Sequence, residues 1–147
     1  MNRKEKAAEY FISGFNCAQS VLAVFKDIID VPEEQLLKLS CGFGAGMGRM
    51  QNTCGAVTGA FMVIGSRYGK SRADDQESAE KTYSMVRQFI EEFEKIHETI
   101  QCRELLGCSL LSEDGKKHFS ENNLKEKICS RCVSDAVEIA EGMINER

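Results

Sequence analysis

Apolar residues recur at three- and four-residue steps along most of the chain, the spacing of amphipathic helices. No segment alternates apolar and polar residues with the two-residue period of a half-buried strand. The spacing predicts a short helix around Cys102 and longer helices over about residues 3–13, 17–29, 32–41, 53–68, 76–98 and 122–145. We therefore expect an all-α fold, a compact single-domain bundle of about six helices over residues 1–147.

The fourth predicted helix is apolar nearly all round, which predicts that it is the central and most buried element. Gly55 and Gly59 leave one side of it almost without side chains. Glycine lets another backbone, or a bound group, approach closely. Both glycines are therefore candidate cofactor-binding positions as well as candidate packing positions.

Charge and hydropathy exclude several classes of protein. The net charge is −4 and the basic residues are dispersed, whereas a nucleic-acid-binding face needs them concentrated. No run of about 20 apolar residues could span a membrane. The first ten residues lack the apolar region of a signal peptide, so we expect a cytoplasmic protein. The long amphipathic helix or the terminal helices could support a homodimer.

Seven cysteines are the unusual feature of the composition. In a reducing cytoplasm, numerous cysteines indicate metal binding or redox chemistry more than a framework of structural disulfides. The alternative is that several of them are simply small, buried hydrophobic residues. Their positions along the predicted helices help to separate these two interpretations.

Three cysteines lie at predicted helix starts. Cys17 follows the capping residue Asn16, Cys54 follows Thr53, and Cys102 lies in or near the first turn of the short helix. The positive end of the helix dipole favours a thiolate there and lowers the cysteine pKa. We therefore expect these three sulfurs to be the reactive ones, with Cys54 at the centre.

A C-x2-C pair, Cys129-Ser-Arg-Cys132, lies within the last predicted helix. It is compatible with a redox pair or half of a metal site, or with one functional cysteine and a neighbour. Cys132 falls near the middle of the apolar stripe and Cys129 nearer its edge. Val133 stands where covalent haem attachment needs histidine. Cys41, at a helix end, and Cys108, after a helix stop, are excluded from the site.

Other polar candidates are weaker. The glycines of residues 42–48 follow no strand and precede no Gly-Lys-Ser/Thr, so they indicate close backbone approach to Cys54 more than a phosphate loop. Arg49 is a candidate anion contact, although a solvated arginine is the simpler interpretation. His97 and His118 have polar neighbours in sequence, which predicts solvated side chains.

The segment Cys54-Gly-Ala-Val-Thr-Gly59 resembles the CGAxxG motif of the C_GCAxxG_C_C family of redox-active proteins. Further marks are Gly14-Phe-Asn-Cys17-Ala-Gln, the glycine loop, Cys102-Arg-Glu-Leu-Leu-Gly107 and a cysteine in the last helix. The resemblance covers nearly the whole chain and implies four functional cysteines. They would be Cys17, Cys54, Cys102 and Cys132, with Cys129 as the alternative to Cys132.

The same resemblance extends to a domain of split-Soret cytochromes, but this chain lacks the C-x2-C-H haem site, so no haem is implied. Family membership also suggests a link to transporter systems. It supplies neither a substrate nor a physiological redox partner.

Two classes of function follow. The first is a redox protein, an oxidoreductase or electron carrier, whose four cysteines converge to hold an iron–sulfur cluster or zinc, or to exchange disulfides. Exchange would use Cys54 as nucleophile and Cys17 or Cys102 as resolving thiol. Because two thiols suffice for exchange, four favour the metal. The second class is a non-catalytic binding or sensor module for a small ligand, a sulfur species or a partner protein.

Overall fold

The computed structural model describes residues 1–145, which are helical apart from turns and loops. Within this range there is no strand, only an isolated antiparallel bridge between Thr53 and Gln101. The all-α prediction is therefore confirmed. The elements in chain order are α1 (Arg3–Ser13), α2 (Cys17–Ala23), α3 (Glu33–Cys41), α4 (Gly55–Tyr68), α5 (Gln76–His97), α6 (Cys102–Leu106), α7 (Glu113–Glu121), a π-helical turn (Lys125–Cys129) and α8 (Ser130–Asn145).

Side-chain caps define the starts of the first two helices. The Asn2 side chain accepts a hydrogen bond from the Glu5 N–H, and the Asn16 side chain accepts one from the Gln19 N–H. In each case the third helical residue bonds back to the cap, which completes a capping box. Gly14 ends α1 with φ 119°, a value that favours glycine. The predicted cap at Asn16 and stop at Gly14 are thus confirmed.

Several helix bounds differ from those predicted. The α2 helix stops at Ala23 instead of continuing to residue 29, because the chain tightens into turns such as Phe25 N–H to Leu22 O. The last helix is preceded by a π-helical turn, and α7 forms in a segment whose sequence pattern is weak. Apolar spacing alone does not reveal such breaks, since the turns after Ala23 keep burying apolar side chains.

The core is built around α4, as predicted. This helix packs against α2, α5 and α8, and five of its side chains, including Ile64, are completely buried. Phe25, Phe89 and Phe93 fill the space between the surrounding elements and are also inaccessible to solvent. A smaller apolar cluster of Cys102, Leu106 and Leu124 joins α6 to the segment before α8.

The two glycines of α4 face α2 at close range. A Cβ at Gly59 would lie 3.0 Å from the Ala18 carbonyl oxygen and 3.1 Å from Val21 Cβ. A Cβ at Gly55 would lie 3.2 Å from Cys17 Cβ. The missing side chains let the start of α4 lie directly against the start of α2, which brings Cys17 and Cys54 to the same region.

None of the helices within residues 1–145 combines the length and hydropathy needed to cross a membrane. This agrees with the sequence analysis. The cytoplasmic location and the homodimer stay predictions.

We predict that Gly59→Ala lowers the free energy of unfolding by about 1–3 kcal/mol, because the added methyl group must displace α2. Gly65→Ala is the matched control in the same helix, since nothing lies within 4 Å of a Cβ there. Alanine should stabilise that position by about 0.5–1 kcal/mol. Chemical denaturation monitored by circular dichroism measures both changes. Equal effects of the two substitutions would contradict the close-contact role of Gly59.

Candidate thiol site

Five cysteine side chains line one cavity of about 250 Å³, which we call the thiol cavity. Most of the other side chains that line this cavity are apolar. They come from three phenylalanines, three leucines and one isoleucine. The exposed residues Arg49 and Lys125 also line it, so the cavity reaches the surface. Its cysteines are Cys17, Cys54, Cys102, Cys129 and Cys132.

Three helix starts meet at this cavity. Cys17 is the first residue of α2, Cys54 is the cap of α4, and Cys102 is the first residue of α6. The Cys54 N–H donates to the Ile100 carbonyl and the Cys102 N–H donates to the Asn52 carbonyl, both at 2.7 Å. These two bonds hold the starts of α4 and α6 side by side. The structure thus brings together all four cysteines that the resemblance implied.

The sequence analysis placed the cap of α4 at Thr53, and this was wrong by one residue. Thr53 forms the bridge with Gln101, and Cys54 itself occupies the cap position. A cap side chain lies where it can face the free N–H groups of the next residues. For Cys54 these are the N–H groups of Ala56 and Val57, although neither makes a hydrogen bond of standard capping geometry.

The pKa of Cys54 is lowered although its side chain is almost fully buried. A hydrogen bond from the Cys132 thiol is the main cause, and the Ala56 and Val57 N–H groups contribute. Burial acts in the opposite direction because it disfavours a charged sulfur. The net result favours a Cys54 thiolate, as expected from the sequence, but the principal donor comes from α8.

Cys132 shows the opposite behaviour. Its pKa is raised strongly, first by its hydrogen bond to Cys54 and then by burial, with further contributions from Cys54, Cys129 and Asp135. Its side chain is only 1% exposed. Of the two hydrogen-bonded sulfurs, Cys54 is therefore the more readily ionised.

The prediction that all helix-start cysteines have lowered pKa values is wrong for Cys17 and Cys102. The pKa of Cys17 is raised, first by its hydrogen bond to Cys129 and then by burial. Burial, with nearby sulfurs, raises the pKa of Cys102 to about 12. Both are first helical residues rather than caps. At the start of α2, the Asn16 side chain already accepts a hydrogen bond from the Gln19 N–H.

The cysteines therefore form two thiol–thiol contacts, Cys54 with Cys132 and Cys17 with Cys129. The seven cysteines are all free thiols. Both members of the C-x2-C pair line the cavity, because residues three apart in the helical segment lie on one side. Cys132 is the more buried of the two, in line with its place in the apolar stripe.

A four-thiolate metal site does not fit this arrangement. Within residues 1–145, no group of three or more histidine, cysteine or carboxylate side chains is placed to hold one metal ion. An iron–sulfur cluster or a structural zinc needs about four donors converging on one centre, at about 2.3 Å for thiolates bound to zinc. We therefore derive no step through an iron–sulfur cluster or zinc.

The loop between α3 and α4 forms one side of the cavity in an unusual backbone conformation. Four of its non-glycine residues have φ values of 53–69°, a region that costs about 1–3 kcal/mol per residue outside glycine. Hydrogen bonds such as Gln51 N–H to Ala45 O (3.1 Å) hold it in place. The loop puts Ala45 and Arg49 in the cavity wall. The four residues are Ala45, Met47, Arg49 and Gln51.

Glycines of this loop allow close approach, but to the cap of α2 and to the loop's own backbone rather than to Cys54 as predicted. A Cβ at Gly44 would lie 2.4 Å from Asn16 Nδ2, so the loop packs directly on the cap of α2. Asn16 Nδ2 also donates to the Cys41 carbonyl at 2.8 Å. The start of the Cys17 helix is thereby tied to the loop.

Gln51 is a site residue that the sequence analysis missed. Its side chain is buried, donates to the Cys108 carbonyl and accepts from the Leu110 N–H, both at 2.7 Å. It also forms a hydrogen bond with the Cys102 thiol. A glutamine after a glycine-rich loop resembles any solvated polar residue, so no sequence signal distinguishes it.

The two histidines differ. His118 is exposed, as predicted, whereas His97 is mostly buried and its Nε2 lies 2.8 Å from Asp135 Oδ2. The prediction for His97 was wrong because its ring packs on Phe93, with 4.5 Å between ring centroids. Neither histidine lines the thiol cavity, and neither do the excluded cysteines Cys41 and Cys108.

A family model described as "Putative redox-active protein (C_GCAxxG_C_C)" matches residues 15–143. The chain belongs to the C_GCAxxG_C_C family. The matched range contains all five cysteines of the thiol cavity, and the description of the family as redox-active agrees with a cavity walled by thiols. Comparisons with curated proteins and with solved structures gave no significant match.

The hydrogen bond from Cys132 predicts the pH dependence of Cys54 alkylation in this family member. Cys132→Val removes the donor, so the pH midpoint for reaction of Cys54 with iodoacetamide should rise measurably. Cys132→Ser keeps an O–H donor and should shift this pH midpoint less. Mass spectrometry of the Cys54 peptide provides the rates. An unchanged midpoint in Cys132→Val would contradict the assigned hydrogen bond.

The raised pKa of Cys102 predicts a loss of stability at high pH. The folded state keeps this thiol protonated up to about 12, whereas the unfolded chain releases the proton near the ordinary value of 9.0. The unfolded state thus binds fewer protons across this interval, and stability falls as pH rises. Cys102→Ala should make that fall less steep, while the exposed Cys41→Ala should not. Urea unfolding between pH 8 and pH 11 tests this, and equal slopes in both variants would contradict it.

Proposed function

We propose that the protein is a thiol–disulfide oxidoreductase in which Cys54 is the attacking thiolate and Cys132 is the resolving thiol. One observation carries the proposal: the buried side chains of Cys54 and Cys132 line the same cavity, where a hydrogen bond between them lowers the pKa of Cys54 and raises that of Cys132. An exchange site needs this division, because only a thiolate attacks a disulfide. Family membership supports redox activity in general.

In the first step the Cys54 thiolate attacks one sulfur of a substrate disulfide that has entered the thiol cavity. A bond forms between Cys54 Sγ and that sulfur, the substrate S–S bond breaks, and the other half leaves as a thiolate. The product is a mixed disulfide between Cys54 and half of the substrate. No charge then remains on Cys54.

Loss of that charge prepares the second step. The hydrogen bond to the Cys54 sulfur is the largest cause of the raised Cys132 pKa. The pKa of Cys132 therefore falls once the Cys54 thiolate has been consumed. Cys132 then gives its proton to the thiolate expelled in the first step. Its sulfur bonds to Cys54 Sγ, which breaks the mixed disulfide and expels the second substrate half as a thiolate. In total the protein dithiol loses two electrons and the substrate disulfide gains them. A dithiol donor would restore the reduced protein.

The position of the other thiols favours Cys132 over the resolving residues proposed from sequence. Cys17 is hydrogen-bonded to Cys129, so these two form a separate pair. The Cys102 thiol bonds to Gln51 rather than to another cysteine. Of the thiols around Cys54, Cys132 is the one hydrogen-bonded to it.

The second candidate function is a binding or sensor module, favoured by the largely apolar wall of the cavity. Such a module would hold a small ligand without turning it over. Cys54→Ser would then weaken binding, and no disulfide would be transferred.

The test is trapping of the mixed disulfide. Reduced protein treated with 2-hydroxyethyl disulfide should form the Cys54–Cys132 disulfide, identified by peptide mapping without reduction. Cys132→Ala should stop at a mixed disulfide on Cys54, because the resolving thiol is missing. Cys54→Ala should slow the reaction at least about tenfold, because an ordinary cysteine, with a pKa near 9, is mostly protonated at neutral pH. Cys41→Ala is the matched control and should behave as wild type.

Two outcomes would overturn the proposal. One is wild-type exchange by Cys54→Ala. The other is stoichiometric iron or zinc in anaerobically purified protein, with Cys54 and Cys132 both protected from alkylation until the metal is removed.

A further inference from the structure

The charged residues that line the thiol cavity are both cations. They are Arg49, from the strained loop, and Lys125, from the start of the π-helical turn. No carboxylate of the described residues lines it, although acidic residues outnumber basic ones by 23 to 19 in the chain. The cavity therefore has the opposite sign to the protein as a whole.

Both cations are available to a ligand. Within residues 1–145 neither forms an ion pair with a carboxylate. Lys125 Nζ lies 5.0 Å from the centre of the Phe11 ring, which holds the ammonium group over the apolar wall. Arg49 is held by a loop whose backbone is fixed by internal hydrogen bonds such as Gly48 N–H to Gly42 O at 3.0 Å.

The rest of the wall suits an apolar body of limited size. The aromatic residues Phe11, Phe15 and Phe119 face the cysteines together with leucines and Ile128. An apolar cavity of about 150 Å³ holds one benzene molecule. A volume of about 250 Å³ therefore accommodates one ring or a short alkyl chain with a small charged group. A folded protein chain would not enter it.

Taken with the proposed function, on which this step rests, the geometry points to a substrate class. We propose that the protein reacts with low-molecular-weight disulfides in which one half is an aryl or alkyl thiol that carries an anionic group. The apolar body would lie against the aromatic wall, the anion would lie between Arg49 and Lys125, and the sulfur would reach Cys54. The exchange follows the two-step balance given above.

Three probes of different charge test the class. They are 5,5′-dithiobis(2-nitrobenzoate), which is anionic and aromatic, 2,2′-dithiodipyridine, which is neutral and aromatic, and cystamine, which is cationic. The rate constant of each with Cys54 is divided by its rate constant with 2-mercaptoethanol, an uncharged thiol, which removes intrinsic reactivity. The anionic probe should exceed cystamine by about tenfold or more at low salt, and added salt should reduce the ratio.

Substitutions identify the source of the preference. Arg49→Gln combined with Lys125→Gln should lower the normalised rate of the anionic probe about tenfold and leave the neutral probe unchanged. Lys127→Gln is the matched control, because Lys127 belongs to the same turn but does not line the cavity. Cys54 must be identified as the reacting residue by peptide mapping.

The failures are distinguishable. Equal normalised rates for all three probes, or equal effects of the double substitution and Lys127→Gln, would overturn the substrate class while Cys54 still exchanges disulfides. Reaction of no probe at Cys54 would overturn the proposed function itself.

Discussion

The close contact between α4 and α2 is the constraint on which the rest of the site depends. Gly55 and Gly59 present no side chain to α2, so the two helix starts lie nearer than any larger residue would allow. That contact places Cys17 and Cys54 at one cavity. The bonds from Cys54 N–H to Ile100 O and from Cys102 N–H to Asn52 O then add the third helix start.

Ionisation within this apolar region is favoured at one sulfur, that of Cys54. Burial raises the pKa of a thiol, and neighbouring sulfurs raise it further, which is the condition of Cys17, Cys102 and Cys132. The pKa of Cys54 is instead lowered, because hydrogen-bond donors from α8 and from its own helix converge on its sulfur. A negative charge on Cys54 raises the pKa of its neighbours, so cysteines with similar local settings differ in how readily they ionise.

Local patterns predicted much of this molecule for identifiable reasons. Asn16 caps α2 through a short-range hydrogen bond, and Gly14 ends α1 through its backbone conformation. Both roles could therefore be predicted from the sequence. The apolar residues on nearly all sides of α4 predict its central position in the core. The end of α2 at Ala23 was not predictable because the turns after it keep burying apolar side chains. The burial of His97 was not predictable because it depends on Asp135, far along the chain.

The sequence by itself determined the all-α fold, the family and the cysteines that line one cavity, since periodicity, caps and the CGAxxG motif are local. Tertiary structure decided which of these sulfurs ionises most readily. Cys17, Cys54 and Cys102 all lie at helix starts, and the dipole acts on each of them. Only Cys54 occupies the cap position and meets the thiol of Cys132, which lies 78 residues further along the chain. Ionisation in an apolar interior depends on which donors are within contact distance, and only the folded chain brings those donors together.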